Sequence, residues 1–202
     1  MQKFNKSMAK NTFYHTWFIY PVAATVLTLI WLWSFPVFHT PSAHQKINVF
    51  FATDVTSENF TKPILEKYNK EDLRQINPSY ALPGTAAYYQ KCQIALSNCD
   101  ILILTKSAVE TYKSSYDTYF APITSYVQEK VGIEESKIKD EHAILFREQG
   151  VAHYLDEYMT FIEEDYYLVF SITSKNLGSA INEDNGPYDN ALTFAKYLIE
   201  GV

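Results

Sequence analysis

The sequence lacks the glycine-rich motifs that bind nucleotides, and it has no cluster of basic residues. It contains six glycines in 202 residues and neither a GxGxxG nor a GxxxxGK[ST] pattern, which argues against a Rossmann or P-loop phosphate site. The formal net charge is −6, and nucleic-acid binding depends on clustered Lys and Arg. GxSxG and HExxH motifs are absent as well. The sequence therefore predicts neither an enzyme nor a nucleic-acid-binding protein, and no cofactor.

Charged side chains are also missing from a long stretch near the N-terminus. Residues 11–43 contain no Asp, Glu, Lys or Arg, and only Lys3, Lys6 and Lys10 carry side-chain charge before them. All 23 acidic residues and the other 14 basic residues lie from Lys46 onward, so a stub of charge +3 is followed by a segment of net charge −9. An uncharged stretch of this length is typical of a membrane-spanning helix.

The apolar part of this stretch is residues 17–38, WFIYPVAATVLTLIWLWSFPVF. A helix of these 22 residues is about 33 Å long, enough to cross a hydrocarbon layer of about 30 Å. Aromatic side chains gather at both ends, and the preceding lysines place the N-terminus in the cytoplasm. We therefore expect a single-pass cell-membrane protein with a cytoplasmic basic stub (1–16), a transmembrane helix (17–38), a tether (39–46) and an extracytoplasmic domain (47–202).

The alternative to an anchor is a cleaved signal peptide. The apolar region of a signal peptide is shorter, about 7–15 residues, and ends at a small-x-small cleavage site. Here Pro41 stands at the −3 position of a site after Ala43, and no cysteine directly follows the apolar stretch to carry a lipid. An uncleaved signal anchor is the favoured interpretation.

Beyond the tether, apolar runs and amphipathic stretches alternate. The pattern strand–helix–strand–helix–strand–helix predicts an α/β domain with a mostly parallel sheet and helices on both faces. Further along, a hairpin with a turn at 148–150, one more strand and a closing helix are expected. The predicted strands are Ile47–Asp54, Leu73–Leu82, Asp100–Thr105, Ala143–Arg147, Val151–Leu155 and Tyr166–Thr173, and the helices are Thr56–Tyr68, Thr85–Leu96, Ser107–Tyr119 and Pro187–Ile199.

Four segments resemble a known family when they are taken in order: INVFFATD, DILILTKSAVE, DYYLVFSITSKNLG and DNALTFAKYLI. They are similar to the extracellular solute-binding proteins of bacterial ABC transporters, which have the type II periplasmic-binding-protein fold. The resemblance covers about residues 47–110 and 160–200 and lies in the hydrophobic pattern. It implies a single lobe of that fold, since the 164 residues beyond residue 38 are too few for two domains of ordinary size. It also implies ABC permease subunits as partners and a small solute as ligand.

Candidate ligand-binding residues follow from the position of the strands. In an open parallel sheet, ligands bind beyond the carboxyl ends of the strands, where hydroxyl groups and helix N-terminal N–H groups favour a sugar or an anion. The alternative is that Thr56, Ser57 and Ser107 only cap helices. The candidate residues are Thr53, Asp54, Ser57, Gly84, Thr85, Lys106 and Ser107.

The two cysteines and the acidic clusters allow weaker inferences. Cys92 and Cys99 could form a disulfide outside the cytoplasm or remain two buried thiols, and both alternatives stay open. His153 with the neighbouring acids lacks a metal-ligand spacing in the predicted hairpin, so no metal site is expected. Residues 163–165 (EED) are expected to be a solvated lead to the following strand.

Two functions remain. The first is capture of a small solute by a membrane-anchored binding or accessory protein associated with an ABC-type transporter. The second is an envelope interaction or sensing module that binds a membrane-protein partner and no small solute. The length of a single lobe favours the second function, and the polar loops after the strands favour the first.

Overall fold

The computed structural model describes residues 14, 16–67, 72–181 and 186–201. The chain divides into two compact units between Thr40 and Pro41. Most of the predicted stub at 1–16 and the end of the helix predicted at 56–68 lie outside the described residues.

In the described residues, the first unit contains a long apolar helix, α1, which spans Ile19–His39. Its segment Ile19–Pro36 has a mean hydropathy of 1.5, and none of it is buried against other parts of the chain. The hydroxyl groups of Thr25 and Thr28 donate 2.8 Å hydrogen bonds to carbonyl oxygens one turn earlier, which satisfies these polar groups within the helix. By length and composition α1 can span a membrane, as predicted for residues 17–38.

The second unit is built on a six-stranded sheet in the order β3-β1-β4-β8-β6-β5, with β2 and β7 forming a separate pair. The strands are β1 (Lys46–Phe51), β2 (Asp54–Val55), β3 (Gln75–Tyr80), β4 (Ile101–Thr105), β5 (Ile138–Lys139), β6 (Ala143–Arg147), β7 (Met159–Thr160) and β8 (Tyr166–Phe170).

The α/β class is confirmed, but the sheet is mixed and not mostly parallel. Strands β3, β1 and β4 are parallel, as the alternating pattern predicted, whereas β8, β6 and β5 add antiparallel strands beside β4. All five residues of β4 and of β8 are buried. A strand buried on both faces is apolar in either direction, so the hydrophobic pattern of β8 did not indicate its orientation.

The hairpin predicted around residues 148–150 is wrong in its second half. Ala143–Arg147 is a strand, but it pairs with β5 and β8. The second predicted strand, Val151–Leu155, is irregular and continues into a 3-10 turn at Tyr154–Glu157. Asp156 stabilises this turn by accepting a 2.9 Å hydrogen bond from the backbone N–H of His153.

Six short helices complete the domain in the described residues. Two of them differ from prediction: the helix expected at 56–68 begins only at residue 61, and the one expected at 107–119 is broken by a 3-10 turn at Lys113–Ser115. The first begins late because β2 pairs with β7 and two N–H groups after β2 donate to the carbonyl of Tyr158. The helices are α2 (Thr61–Lys67), α3 (Ala86–Asn98), α4 (Lys106–Thr111), α5 (Tyr116–Tyr119), α6 (Ser125–Val131) and α7 (Asn190–Glu200).

The helices α2 and α3 connect the parallel strands in opposite directions. From β1 the chain passes through α2 to β3 on one side, and from β3 it passes through α3 to β4 on the other side of β1. Right-handed crossovers then place α2 and α3 on opposite faces of the sheet. Fully buried aromatic side chains form the centre of the core, among them Phe50, Phe51, Phe60, Phe120, Tyr166, Phe170 and Phe194.

Candidate functional site

The direction of the strands defines two opposite edges of the sheet. The first edge carries the carboxyl ends of β1, β3 and β4 and the amino end of β8, and it holds the residues predicted to bind a ligand. The second edge carries the amino ends of the three parallel strands and the carboxyl end of β8.

The candidate ligand-binding side chains after β1 form hydrogen bonds with the protein's own backbone. Thr53 is completely buried, and its hydroxyl donates to the backbone oxygen of Thr160 in β7. Asp54 is exposed, and its carboxylate accepts a 3.0 Å hydrogen bond from the next backbone N–H. The hydroxyl of Ser57 accepts from the backbone N–H two residues later at 3.3 Å. The contacts of Asp54 and Ser57 are those of turn residues.

The residues predicted after β4 contact two acidic side chains. The carboxylate of Glu164 accepts the backbone N–H of Ser107 at 2.8 Å and its hydroxyl at 3.1 Å. The ammonium of Lys106 lies 3.6 Å from the carboxylate of Asp165, and Thr105 is the N-cap of α4. Glu164 and Asp165 were expected to be solvated, but they contact the first turn of α4, where carboxylates are favoured.

These contacts define a covering segment, residues 158–165, that lies along the first edge. Its backbone oxygens accept hydrogen bonds from the hydroxyl of Thr53 and the N–H of Ser57. The carboxylate of Glu164 accepts the hydroxyl of Ser107, and that of Asp165 forms an ion pair with Lys106. The groups that a bound solute would need are therefore partnered by the chain itself. The single solute-binding lobe expected from the sequence would instead leave these groups open at the carboxyl ends of the strands.

Gly84 and Thr85 lie in an exposed turn between β3 and α3, and no hydrogen bond or ion pair among the described residues joins them to the covering segment. Gly84 has a φ of 83° with open space around its Cα, so the residue meets a backbone requirement of the turn. The hydroxyl of Thr85 donates to the carbonyl of Leu82 at 2.8 Å. The structure does not bring this pair together with the other candidate residues.

The second edge contains a buried polar network that the sequence did not indicate. Its centre is Asp100, which is 7% exposed and accepts hydrogen bonds from the hydroxyl of Ser174 at 2.6 Å, the amide of Asn176 at 3.1 Å and the backbone N–H of Asn48 at 2.8 Å. Burial raises the pKa of Asp100, although the three hydrogen bonds act to lower it. Loss of a donor to a buried carboxylate is costly.

A pocket of about 390 Å³ lies beside this network. It is bounded by the start of β1, the junction of α3 and β4, and the loop after β8. Its lining is almost entirely polar: Ala43, Lys46, Asn48, Ser97, Asn98, Cys99, Asp100, Thr173, Ser174, Lys175 and Asn176.

Residues 43–46, part of the predicted tether, belong to this edge of the domain. They form a 3-10 turn that leads into β1. A ring nitrogen of His44 is 3.1 Å from the carbonyl of Lys175, and its ring stacks on Tyr188 at 3.8 Å between centroids. Its carbonyl accepts the side-chain amide of Asn190 at 2.8 Å. Residues 43–46 are therefore part of the folded domain.

The cysteines are both free and buried, and the disulfide that the sequence allowed is not formed in the structure. The sulfur of Cys92 is 3.7 Å from the hydroxyl of Tyr112. Burial raises the pKa of Cys99 to about 11. Both thiols are in the less reactive protonated form at neutral pH.

The His153 cluster has structural contacts of its own. Nδ1 of His153 accepts the backbone N–H of Leu155 at 3.3 Å, and burial lowers the pKa of the ring. Asp156 pairs with Arg147 at 3.0 Å. Within the residues that the structure describes, no group of three or more His, Cys, Asp or Glu side chains is arranged to hold a metal ion.

Comparison of the chain with protein-family models, with curated proteins and with solved structures found no match. The resemblance to solute-binding proteins, and the transporter association that it implies, therefore remain predictions.

Proposed function

We propose that the protein is a single-pass membrane protein whose outer α/β domain is an accessory module that binds a membrane-protein partner. The observation that carries this proposal is the covering segment 158–165, which occupies the edge where a single lobe would receive a solute. Since Glu164 accepts both groups of Ser107, an anion at this point would have to displace a carboxylate of the chain. This favours partner binding over solute capture at the first edge.

The exposed apolar surface of α1 supports the membrane part of the proposal. None of the segment Ile19–Pro36 is buried against the chain, and an apolar surface of this size is unfavourable in water. Insertion into lipid removes it from water, and the N-terminal lysines predict that the domain lies outside the cytoplasm. Because the sequence resembles solute-binding proteins, we propose that the module joins an ABC-type importer.

The test is purification of the tagged full-length protein from gently solubilised membranes, with mass spectrometry of the proteins that remain bound. Two comparison proteins make the result specific: a chain in which α1 is replaced by an unrelated apolar helix, and a chain that carries α1 on an unrelated soluble domain. We expect permease and ATPase subunits with the native protein and with the chain in which α1 is replaced, at least about tenfold enriched over the chain that carries α1 on an unrelated domain. Recovery of the protein alone, or of the same partners with α1 on the unrelated domain, would contradict the proposal.

Solute capture at the first edge is the competing function, and it has a direct test. Asp54→Ala, Ser57→Ala and Lys106→Ala would remove ligand-induced stabilisation if these residues hold a solute. We expect no solute to stabilise the protein through these residues, because each side chain would lose a contact within the chain if it took a ligand. All three variants are expected to retain the native set of bound partners.

A further inference from the structure

The second edge of the sheet has properties of a ligand site. Its pocket of about 390 Å³ is in the size range of small-molecule sites. It is lined by side chains from three separate parts of the chain, at residues 43–48, 97–100 and 173–176. Three of these side chains, Asp100, Ser174 and Asn176, are more than nine-tenths buried and hold one another in place.

The ammonium groups of Lys46 and Lys175 are the first indication of what the pocket binds. Both residues line it, and neither ammonium forms an ion pair or hydrogen bond with any described residue, whereas five other lysines of the described domain pair with carboxylates. Two unpaired cations on one pocket attract an anionic group.

The base of the pocket favours a different chemical group. The carboxylate of Asp100 accepts two hydrogen bonds at Oδ1 and one at Oδ2, which leaves acceptor capacity at Oδ2. The hydroxyl of Ser97 makes no hydrogen bond with the described residues. A second anion would be repelled here, whereas a hydroxyl group can donate to the carboxylate and also accept a hydrogen bond.

We propose that this pocket binds a small hydroxylated anion, with its phosphate or carboxylate group held by Lys46 and Lys175 and its hydroxyl groups directed to Asp100 and Ser97. A glycerol phosphate group has this chemistry, either as a free solute or as the headgroup of a membrane lipid. The site is separate from the edge predicted from the sequence, and it does not depend on the proposed partner protein.

The test measures binding of sn-glycerol 3-phosphate to the full-length protein in detergent by calorimetry. We expect a Kd below about 1 mM, and a loss of at least about tenfold in both Lys46→Gln and Lys175→Gln. Lys62→Gln is the matched control, because Lys62 is an exposed lysine of α2 outside the pocket. Inorganic phosphate and glycerol, measured separately, are expected to bind more weakly than the ester.

Three results would overturn the proposal: no binding of sn-glycerol 3-phosphate to the native protein at about 10 mM, an equal loss of affinity in Lys62→Gln and the two pocket variants, or inorganic phosphate binding as tightly as the ester. Unchanged urea midpoints of the variants exclude unfolding as the cause of a loss. Nanodiscs that contain phosphatidylglycerol distinguish the source of the ligand. If the nanodiscs compete with the soluble ester for the native protein but not for Lys175→Gln, the result supports a lipid headgroup as the ligand. If the nanodiscs do not compete and the soluble ester still binds, the result supports a free solute.

Discussion

The hydroxyl of Ser174 donates a 2.6 Å hydrogen bond to the buried carboxylate of Asp100. The two residues are 74 positions apart, and the bond joins the loop after β8 to the start of β4. Asn176 reinforces it with a second donor and also donates to the carbonyl of Lys46 at 3.0 Å. One carboxylate therefore organises the start of β1, the start of β4 and the loop that closes the second edge.

Asp100→Asn is predicted to destabilise the domain. The side-chain amide of the variant has only one oxygen to accept from three donors. It also brings its own N–H groups against the amide of Asn176, so buried donors lose their partner. We expect the free energy of unfolding to fall by about 1–3 kcal/mol, measured by urea denaturation. Asp54→Asn, at an exposed position, is the control, with an expected change within about 0.5 kcal/mol. Equal effects would contradict the role of Asp100.

The stability difference between the native protein and Asp100→Asn is predicted to depend on pH. Burial raises the pKa of Asp100 in the folded state, so the folded protein binds this proton more tightly than the unfolded chain does. The stability gained from protonation is complete below the unfolded pKa and is lost as pH rises through the raised folded pKa. The advantage of the native protein over the variant should therefore decrease between about pH 4 and neutral pH. An increase over that range would contradict the raised pKa.

Glu164→Gln is predicted to loosen the covering segment from α4. The variant loses the charge that accepts the backbone N–H and hydroxyl of Ser107 at the start of the helix. We expect a loss of about 1 kcal/mol in the free energy of unfolding. Glu163→Gln is the control, since its side chain is exposed one position earlier. An effect of the same size in both variants would mean that the loss of a negative charge, and not the loss of the contact with Ser107, lowers the free energy of unfolding.

The two cysteines are predicted to resist modification until the protein unfolds. Both side chains are buried, and the pKa of Cys99 is raised to about 11, so little thiolate is present at pH 8. We expect an aromatic disulfide reagent to label neither cysteine in the native protein and both after denaturation without a reductant. Absence of labelling after denaturation, with an intact mass lower by two hydrogen atoms, would instead identify a disulfide.

Leu27→Lys is predicted to weaken membrane insertion, because it places a charge near the middle of the apolar segment Ile19–Pro36. The cost is about 3 kcal/mol at the centre of a membrane helix. We expect a lower fraction of the variant in the membrane pellet after an alkaline wash. Thr40→Lys adds the same charge after the end of α1 and is expected to remain in the pellet. A native protein recovered as a soluble fragment without α1 would identify a cleaved signal sequence.

The pattern of residues predicted several elements correctly. Strands β1, β4 and β8 were identified from continuous apolar runs, because burial on both faces leaves no alternation to interpret. The parallel arrangement of β3, β1 and β4 followed from the helices between them, since a parallel connection needs a crossover. The first edge was found by the same reasoning, although its polar residues turned out to be partnered within the chain.

The predictions that differed from the structure depend on hydrogen bonds that the hydrophobic pattern does not show. Whether residues 151–155 extend a hairpin depends on Asp156 reaching the backbone of His153 and the side chain of Arg147. The loss of the first turn of the helix expected at 56–68 depends on the carbonyl of Tyr158, a hundred positions further along the chain. Tyr158 lies outside the window that local periodicity considers, whereas Asp156 lies inside it but acts through side-chain hydrogen bonds that hydrophobic periodicity does not register.

An apolar N-terminal helix long enough to cross a membrane and an α/β domain after it were both evident from the order of the residues. Both depend on composition and local periodicity, which hydrophobic burial imposes directly on the residues. The three-dimensional fold was needed to establish the direction of β8, the position of the covering segment 158–165 and the assembly of Asp100, Ser174 and Asn176 beside a polar pocket. These features arise from pairings between distant segments, and an apolar strand or a single polar side chain carries no local signal of the partner that it will meet.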